Sequence, residues 1–270
     1  MTTTEAAIER ARHFNGSYNG DWQPYITSLA DFKVPDMPFC LVPVGSFQMG
    51  DDEGYDSDRP AHPQTITQPY WISRYPVTNA QWALAVAAGI VEMPRELGDS
   101  LKWYHNPRRR HAPVVSVSWF MARDFAAWLG CRLPSELEWE YAARGVESWR
   151  YPWGEVADWD RLVWNKKRNP KPALVTSLPE EASWGGAAHL LGNIQEWTHS
   201  RYGRYPYTLA NEQTTGNRTD VKRMVRSIWA GYTSRWSRDK IRSARRVMWL
   251  TPDNASDGTG FRLVRAADVD

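Results

Sequence analysis

The chain has 270 residues, and its 33 Lys and Arg residues nearly balance its 31 Asp and Glu residues, which leaves a formal net charge of +2. A charge this close to zero gives no general attraction to nucleic acid or to a membrane surface. The chain is long enough to bury the core of one large domain or two small ones.

The low cysteine content and the lack of a recognisable targeting signal favour a cytoplasmic location. The sequence has only two cysteines, too few for a disulfide framework, which predicts a reduced, intracellular protein. No stretch approaches the ~20 apolar residues of a membrane span, and the first residues lack the basic and apolar parts of a secretion signal. We therefore expect a cytoplasmic protein without a membrane span, with surface display by another route as the alternative.

The first third of the chain is predicted to hold one short helix and several strands. Residues 3–13 favour a short helix that packs on the main domain. Residues 39–49 predict a strand pair with a turn near Gly45, and residues 65–72 predict a further strand. An acidic loop, residues 51–58, lies between them.

Three helices are predicted in the central part of the chain. Residues 78–88 begin with the Thr-x-x-Gln spacing of a capping box, and residues 135–143 begin with the equivalent Ser-x-x-Glu spacing. Between them, apolar residues recur at helical spacing over residues 119–129. Each helix is followed closely by a glycine, which is typical of a helix end.

Helical periodicity ends at Gly145. The remaining sequence is rich in Trp, Gly, Pro and Asn, which predicts short strands and long irregular loops. No internal repeat is visible. We expect one domain over residues 35–266, preceded by an N-terminal extension with a short helix over residues 1–34.

Short blocks of distinctive sequence run along most of the chain in a fixed order. The most specific block is residues 132–145 (Arg-Leu-Pro-Ser-Glu-Leu-Glu-Trp-Glu-Tyr-Ala-Ala-Arg-Gly), and others are residues 45–50, 59–63, 75–79, 113–119, 151–154, 192–198 and 260–265. Together they resemble the formylglycine-generating-enzyme (sulfatase-modifying factor) family. The resemblance implies an α+β, C-type-lectin-like fold with short strands, two to three helices and extensive irregular loops.

The same resemblance implies a chemistry whose residues are missing here. Catalytic members of the family oxidise a substrate cysteine with two cysteines that hold Cu(I), a soft ion that thiolates suit. Residues 190–270 contain no cysteine, and Cys40 and Cys131 match neither catalytic position. Related sulfoxide synthases use a histidine-ligated iron, but no helical His-x-x-x-His pair occurs. We therefore expect a non-catalytic protein, with a formylglycine-generating-enzyme-like oxidoreductase as the alternative.

The C-terminal region, residues 226–265, keeps framework residues such as Arg242 and Gly260 between positions of mixed character. This alternation resembles the variable proteins of diversity-generating retroelements, in which a lectin-like region is rewritten to create new binding surfaces. It implies a ligand-binding surface of Trp, Tyr and Arg side chains, the residue types that dominate binding hot spots. The predicted surface positions are Trp229, Tyr232, Ser234, Arg235, Trp236, Arg238, Arg246, Met248, Trp249, Asn254, Ser256 and Asp257.

Calcium is the one cofactor that the resemblance suggests. Asn193 and Glu196 lie in a block whose oxygens bind calcium in several family members, and hard oxygen ligands suit Ca²⁺. The alternative is that Asn193 turns the backbone and Glu196 pairs with an arginine.

Nucleic-acid binding is a second alternative function. Residues 222–246 combine many cations with interleaved Trp and Tyr, which would suit phosphates and bases. Several of these arginines occupy framework positions that the family uses internally. We therefore expect a protein or cell-surface ligand rather than nucleic acid.

Overall fold

The computed structural model describes residues 2–29, 33–163, 171–178, 182–212, 216–229 and 238–267. The α-helices of these residues are α1 (Thr3–Arg12), α2 (Asn79–Ala87), α3 (Ser100–Tyr104), α4 (Trp119–Trp128) and α5 (Glu136–Arg144). The strands are β1 (Ile26–Ser28), β2 (Pro38–Val42), β3 (Gly45–Met49), β4 (His62–Ile66), β5 (Tyr70–Ser73), β6 (Gln195–Arg201), β7 (Arg223–Arg226), β8 (Met248–Leu250), β9 (Thr259–Phe261) and β10 (Val264–Ala266).

Three small sheets organise these strands. The first has the order β1-β2-β5-β10 and is antiparallel, and the second is the antiparallel pair β3-β4. The third has the order β8-β7-β6-β9, with β6 and β9 parallel. Helices mixed with small sheets confirm the α+β class. The two to three helices predicted for the domain are too few, because the described residues after position 35 form four α-helices, and α3 was not predicted.

Both predicted capping boxes form. The Thr78 hydroxyl accepts the Gln81 N–H at 3.3 Å, and the Gln81 side chain accepts the Thr78 N–H at 2.9 Å. Ser135 and Glu138 make the same reciprocal pair at the start of α5. These bonds satisfy N–H groups that have no partner inside the helix, which fixes where each helix begins.

The two strands predicted over residues 39–49 form, as β2 and β3, but the prediction that they pair with each other is wrong. β2 pairs with β1 and β5, whereas β3 pairs with β4 in a different sheet. The chain changes sheets at Gly45, where φ is +158° and an added Cβ would lie 2.3 Å from the Tyr141 hydroxyl oxygen. The single strand predicted over residues 65–72 is likewise two strands, β4 and β5, in separate sheets.

Aromatic rings from several elements form the core. Trp82 stacks on Phe125 with ring centroids 5.3 Å apart, and Phe261 meets both rings edge-on. Helix α1 buries Ala7, Ile8 and Ala11, so the extension packs on the main domain as predicted. None of the helices in the described residues is long and apolar enough to cross a membrane.

Candidate functional site

A buried ion-pair network lies beneath the C-terminal region. Glu136, at the start of α5, accepts from Arg226 Nη1 at 3.0 Å and from Arg246 Nε at 2.7 Å. Glu140 lies 3.0 Å from Arg226 Nη2 and 2.6 Å from Arg144 Nη1. All five side chains are buried. Burial is the largest single influence on the pKa of Arg246 and lowers it, but the charges of Glu136 and Tyr205 and the hydrogen bond to Glu136 together outweigh burial, so the net shift is upward.

The acidic loop of residues 51–58 binds further groups of the C-terminal region. Arg245 Nη1 lies 2.9 Å from Asp58 Oδ1, which also accepts the Arg246 N–H at 2.9 Å. Arg242 Nη1 donates to Asp51 at 2.7 Å. Four arginines of the basic segment are therefore bound to carboxylates far away in the sequence: Arg226, Arg242, Arg245 and Arg246.

Two of the predicted surface residues are buried instead. Arg246 is held inside the ion-pair network, and Trp229 is only 6 % exposed. Trp229 packs with Trp103, Val115 and Ile194 in a separate apolar cluster. Ser227, directly after β7, has φ of +67°. Ile228 and Trp229, which follow it, are both buried.

One predicted surface aromatic is exposed. Trp249 in β8 is 40 % exposed, and the Lys222 ammonium lies 3.4 Å from the centroid of its ring. The Tyr202 ring centroid lies 5.8 Å away at an interplanar angle of 40°. Tyr202 directly follows β6, and Lys222 directly precedes β7. We call Trp249, Lys222 and Tyr202 the Trp249 face. Sequence reasoning missed Tyr202, whose signal was the run of tyrosines and arginines after β6.

Other predicted positions lie around the same C-terminal segment. Arg238 is exposed, with its guanidinium carbon 5.7 Å from the Trp159 ring centroid. Asn254 is exposed, and Ser256 is half-buried against the Thr259 hydroxyl at 2.6 Å. Asp257 is half-buried, and burial raises the pKa of its carboxyl group.

Four predicted positions lie outside the described residues: Tyr232, Ser234, Arg235 and Trp236. For Met248 the structure describes the backbone, which pairs with Val225. These five remain predictions.

The two candidate calcium ligands have other partners. Glu196 receives Arg262 Nε at 2.6 Å, Arg262 Nη2 at 2.8 Å and Trp139 Nε1 at 2.8 Å, so both carboxylate oxygens are occupied. Asn193 adopts φ of +60°, and its side-chain oxygen accepts the Ala173 N–H at 2.7 Å. These side chains do not fit a calcium site, and both instead follow the alternative prediction of a backbone turn and an arginine pair.

The two cysteines are not arranged for thiolate chemistry. Both are free, and burial raises the pKa of each thiol to about 12. A thiol with so high a pKa is almost entirely protonated at neutral pH, whereas the thiolate is the nucleophile and the metal ligand. Among the described residues no three His, Cys, Asp or Glu side chains are grouped as a metal site.

A family model matches most of the chain. The sulfatase-modifying factor enzyme 1-like domain matches residues 27–267. The chain belongs to this family. It is 34% identical over 199 residues to hercynine oxygenase of Mycolicibacterium smegmatis, a match that covers 62% of this chain and 46% of that protein. The chain thus spans less than half the length of the hercynine oxygenases that it matches.

A second relative is matched over most of its length. The inactive C-alpha-formylglycine-generating enzyme 2 of Bos taurus is 29% identical over 277 residues, which covers 84% of this chain and 87% of that protein. The family predicted from the ordered sequence blocks is therefore confirmed.

Solved structures share the fold. PvdO from Pseudomonas aeruginosa superposes with a TM-score of 0.68 at 23% identity, over 85% of this chain and 94% of that chain. Treponema denticola variable protein 1 superposes with a TM-score of 0.66 at 15% identity, over 90% of this chain and all (100%) of that chain. The C-type-lectin-like fold class predicted from the sequence is confirmed, and so is its likeness to a variable protein.

Proposed function

We propose that this protein is a non-catalytic ligand-binding protein, and that it is the variable protein of a diversity-generating retroelement. The observation that carries the proposal is a division of roles within residues 226–265. Framework arginines are buried and paired with carboxylates, whereas Trp249 is exposed at 40 % beside Lys222 and Tyr202. A rigid frame that presents exposed aromatic and cationic side chains is the arrangement of a binding surface.

The family comparison supports a protein without catalysis. A relative matched over most of its length is named as an inactive formylglycine-generating enzyme. The fold is also found in a protein named as variable. A binding role does not require the cysteine pair that residues 190–270 lack.

Sequencing of the gene in a population tests the retroelement origin. Across many lineages we expect substitutions to concentrate at exposed positions, represented by Trp249 and Asn254, and at the predicted position Tyr232. The codons of Arg226 and Arg246 should stay fixed, because those side chains hold the buried network. The measurement is deep sequencing of codons 225–265, and a region as uniform as the preceding 40 codons would contradict diversification.

Trp249→Ala tests whether this ring is a surface anchor. We expect the free energy of unfolding to fall by at most ~1 kcal/mol, since the partly exposed ring loses only a cation–π contact with Lys222 and a tilted ring contact with Tyr202. Urea unfolding followed by circular dichroism measures this. The matched control is Trp82→Ala, whose ring is fully buried and whose loss should cost roughly 3–5 kcal/mol. Equal losses in the two variants would make Trp249 a structural residue.

An oxidoreductase remains the alternative, because the family includes proteins named as oxygenases and formylglycine-generating enzymes. The raised thiol pKa values of Cys40 and Cys131 argue against thiolate chemistry at neutral pH. Incubation with Cu(I), oxygen and a cysteine-containing peptide, followed by mass spectrometry, decides the matter. Conversion of the peptide cysteine to formylglycine would overturn the non-catalytic proposal.

Nucleic-acid binding is disfavoured because several arginines of the basic segment already form ion pairs within the protein. Arg226, Arg242 and Arg246 are each paired with carboxylates. Burial, with the nearby charges of Arg201 and Arg123, lowers the pKa of Arg223 to about 10. Arginines that already pair with carboxylates inside the protein neutralise few phosphates, so they release few counterions from a nucleic-acid backbone. A steep fall of affinity for single-stranded DNA with added salt would favour this alternative.

A further inference from the structure

A cavity lies outside the Trp249 face. It has a volume of about 550 Å³ and is lined by the loop before β2, the start of α2, the loop at residues 110–111 and residues 174–176. None of the residues of the Trp249 face lines it. Its volume falls within the range of roughly 300–1,000 Å³ that is typical of small-molecule sites.

The cavity has an apolar wall that is open to solvent. Leu84 on α2 and Leu174 line it and are 41 % and 37 % exposed, although both are large aliphatic side chains. Pro38 and Val175 extend the same wall. Covering exposed aliphatic surface stabilises a complex by about 25 cal/mol per Å², so this wall favours a ligand with an apolar body.

Two opposite charges without ion-pair partners line the same cavity. Among the described residues, no carboxylate lies within 4.0 Å of the Arg110 guanidinium, and no cation lies within that distance of the Asp36 carboxylate. Both residues line the cavity. A ligand that carried a single charge would be attracted by one of these groups and repelled by the other.

The backbone holds both charged residues in place. Asp36 has φ of +55°, a left-handed conformation that costs a non-glycine residue about 1 kcal/mol or more. Its carbonyl oxygen accepts from Gln81 Nε2 at 2.9 Å, so the capping glutamine of α2 fixes this turn. The Arg110 carbonyl oxygen accepts the Ala80 N–H at 2.9 Å, which fixes the other loop to the same helix.

We propose that this cavity binds a small zwitterion with an apolar body, an apolar α-amino acid or a dipeptide of such residues. The ligand carboxylate binds Arg110, the ligand ammonium binds Asp36, and its side chain covers Leu84 and Leu174. An anionic ligand that paired with Arg110 would leave Asp36 unpaired and would place a second negative charge near it. A cationic ligand that paired with Asp36 would likewise leave Arg110 unpaired near a second positive charge. The zwitterion satisfies both groups and the apolar wall together.

Calorimetric titration with three probes tests the ligand class: L-leucine, L-phenylalanine and L-leucyl-L-phenylalanine. We expect at least one to bind. For L-phenylalanine the matched controls are 3-phenylpropanoate, which lacks the ammonium, and 2-phenylethylamine, which lacks the carboxylate. Each charged hydrogen bond is worth about 1.5–3 kcal/mol, so removal of either group should weaken binding by roughly tenfold or more. Binding of none of the three zwitterions, or equal affinity for 3-phenylpropanoate, would overturn the proposal.

Two variants test the roles of the charged residues. Arg110→Gln should weaken zwitterion binding at least ~tenfold, whereas Arg108→Gln, an exposed arginine of the same loop that does not line the cavity, should leave it unchanged. Asp36→Asn keeps a residue that tolerates the left-handed backbone. It should weaken binding of the zwitterion but not of 3-phenylpropanoate.

The melting temperature of each variant shows whether it is folded. Equal losses of affinity in Arg110→Gln and Arg108→Gln would contradict the assignment of Arg110, as would unchanged affinity in Arg110→Gln. Because the cavity shares no residue with the Trp249 face, this proposal and the proposed binding function fail independently.

Discussion

Replacing Glu136 with leucine is expected to lower the free energy of unfolding by roughly 3–5 kcal/mol, because it leaves two buried guanidinium groups without their shared carboxylate. Glu136 accepts from Arg226 at 3.0 Å and from Arg246 at both 2.7 and 3.2 Å. Glu140 still pairs with Arg226 in the variant, but Arg246 has no second carboxylate within ion-pair distance among the described residues. The uncompensated charge of Arg246 therefore dominates the loss.

The chain offers a matched control for this variant. Glu53 also accepts from two arginines, Arg150 at 3.0 Å and Arg242 at 3.2 Å, but its side chain is 67% exposed. Solvent screens such pairs, so Glu53→Leu should cost at most ~1 kcal/mol. Guanidinium chloride unfolding of both variants measures the difference. A loss at Glu136 no larger than at Glu53 would mean that the buried network does not hold the C-terminal region in place.

Interactions within a few residues were predictable from the sequence. The boundaries of α2 and α5 follow from side chains three residues apart, Thr78 with Gln81 and Ser135 with Glu138, so the sequence contains the whole interaction. The family blocks then supplied the fold class, because their order along the chain is specific. The strand pairing over residues 39–49 was not predictable, since β2 and β3 pair with strands that the local pattern does not name.

The candidate site could be predicted only in part, for a related physical reason. Arg246 and Trp249 are three residues apart, and both have large side chains with a polar group. Arg246 is nevertheless buried, whereas Trp249 is exposed. The difference comes from Glu136, which is 110 residues from Arg246 in sequence. One signal was available: the acidic loop of residues 51–58 and the basic segment 222–246 complement each other in charge. Considered together, they indicate that much of the basic segment is paired internally.

Trp229→Ala is expected to lower the free energy of unfolding by roughly 3–5 kcal/mol, because it removes a buried ring and leaves a cavity. The ring packs with Trp103, Val115 and Ile194, and an added Cβ at Gly258 would lie 2.2 Å from it. The exposed Trp249 is the matched comparison, with an expected loss of at most ~1 kcal/mol. Urea unfolding of both variants measures the difference in stability loss between a buried tryptophan and an exposed one.

A double-mutant cycle with Gly258→Ala makes this test specific to the contact. Alone, Gly258→Ala should cost about 1–3 kcal/mol, because its methyl group meets the Trp229 ring. In the Trp229→Ala background that clash is gone and the methyl group occupies part of the cavity. The double variant should therefore lose less stability than the sum of the single variants, by at least ~1 kcal/mol. Additive losses would show that the Trp229 ring does not pack on Gly258.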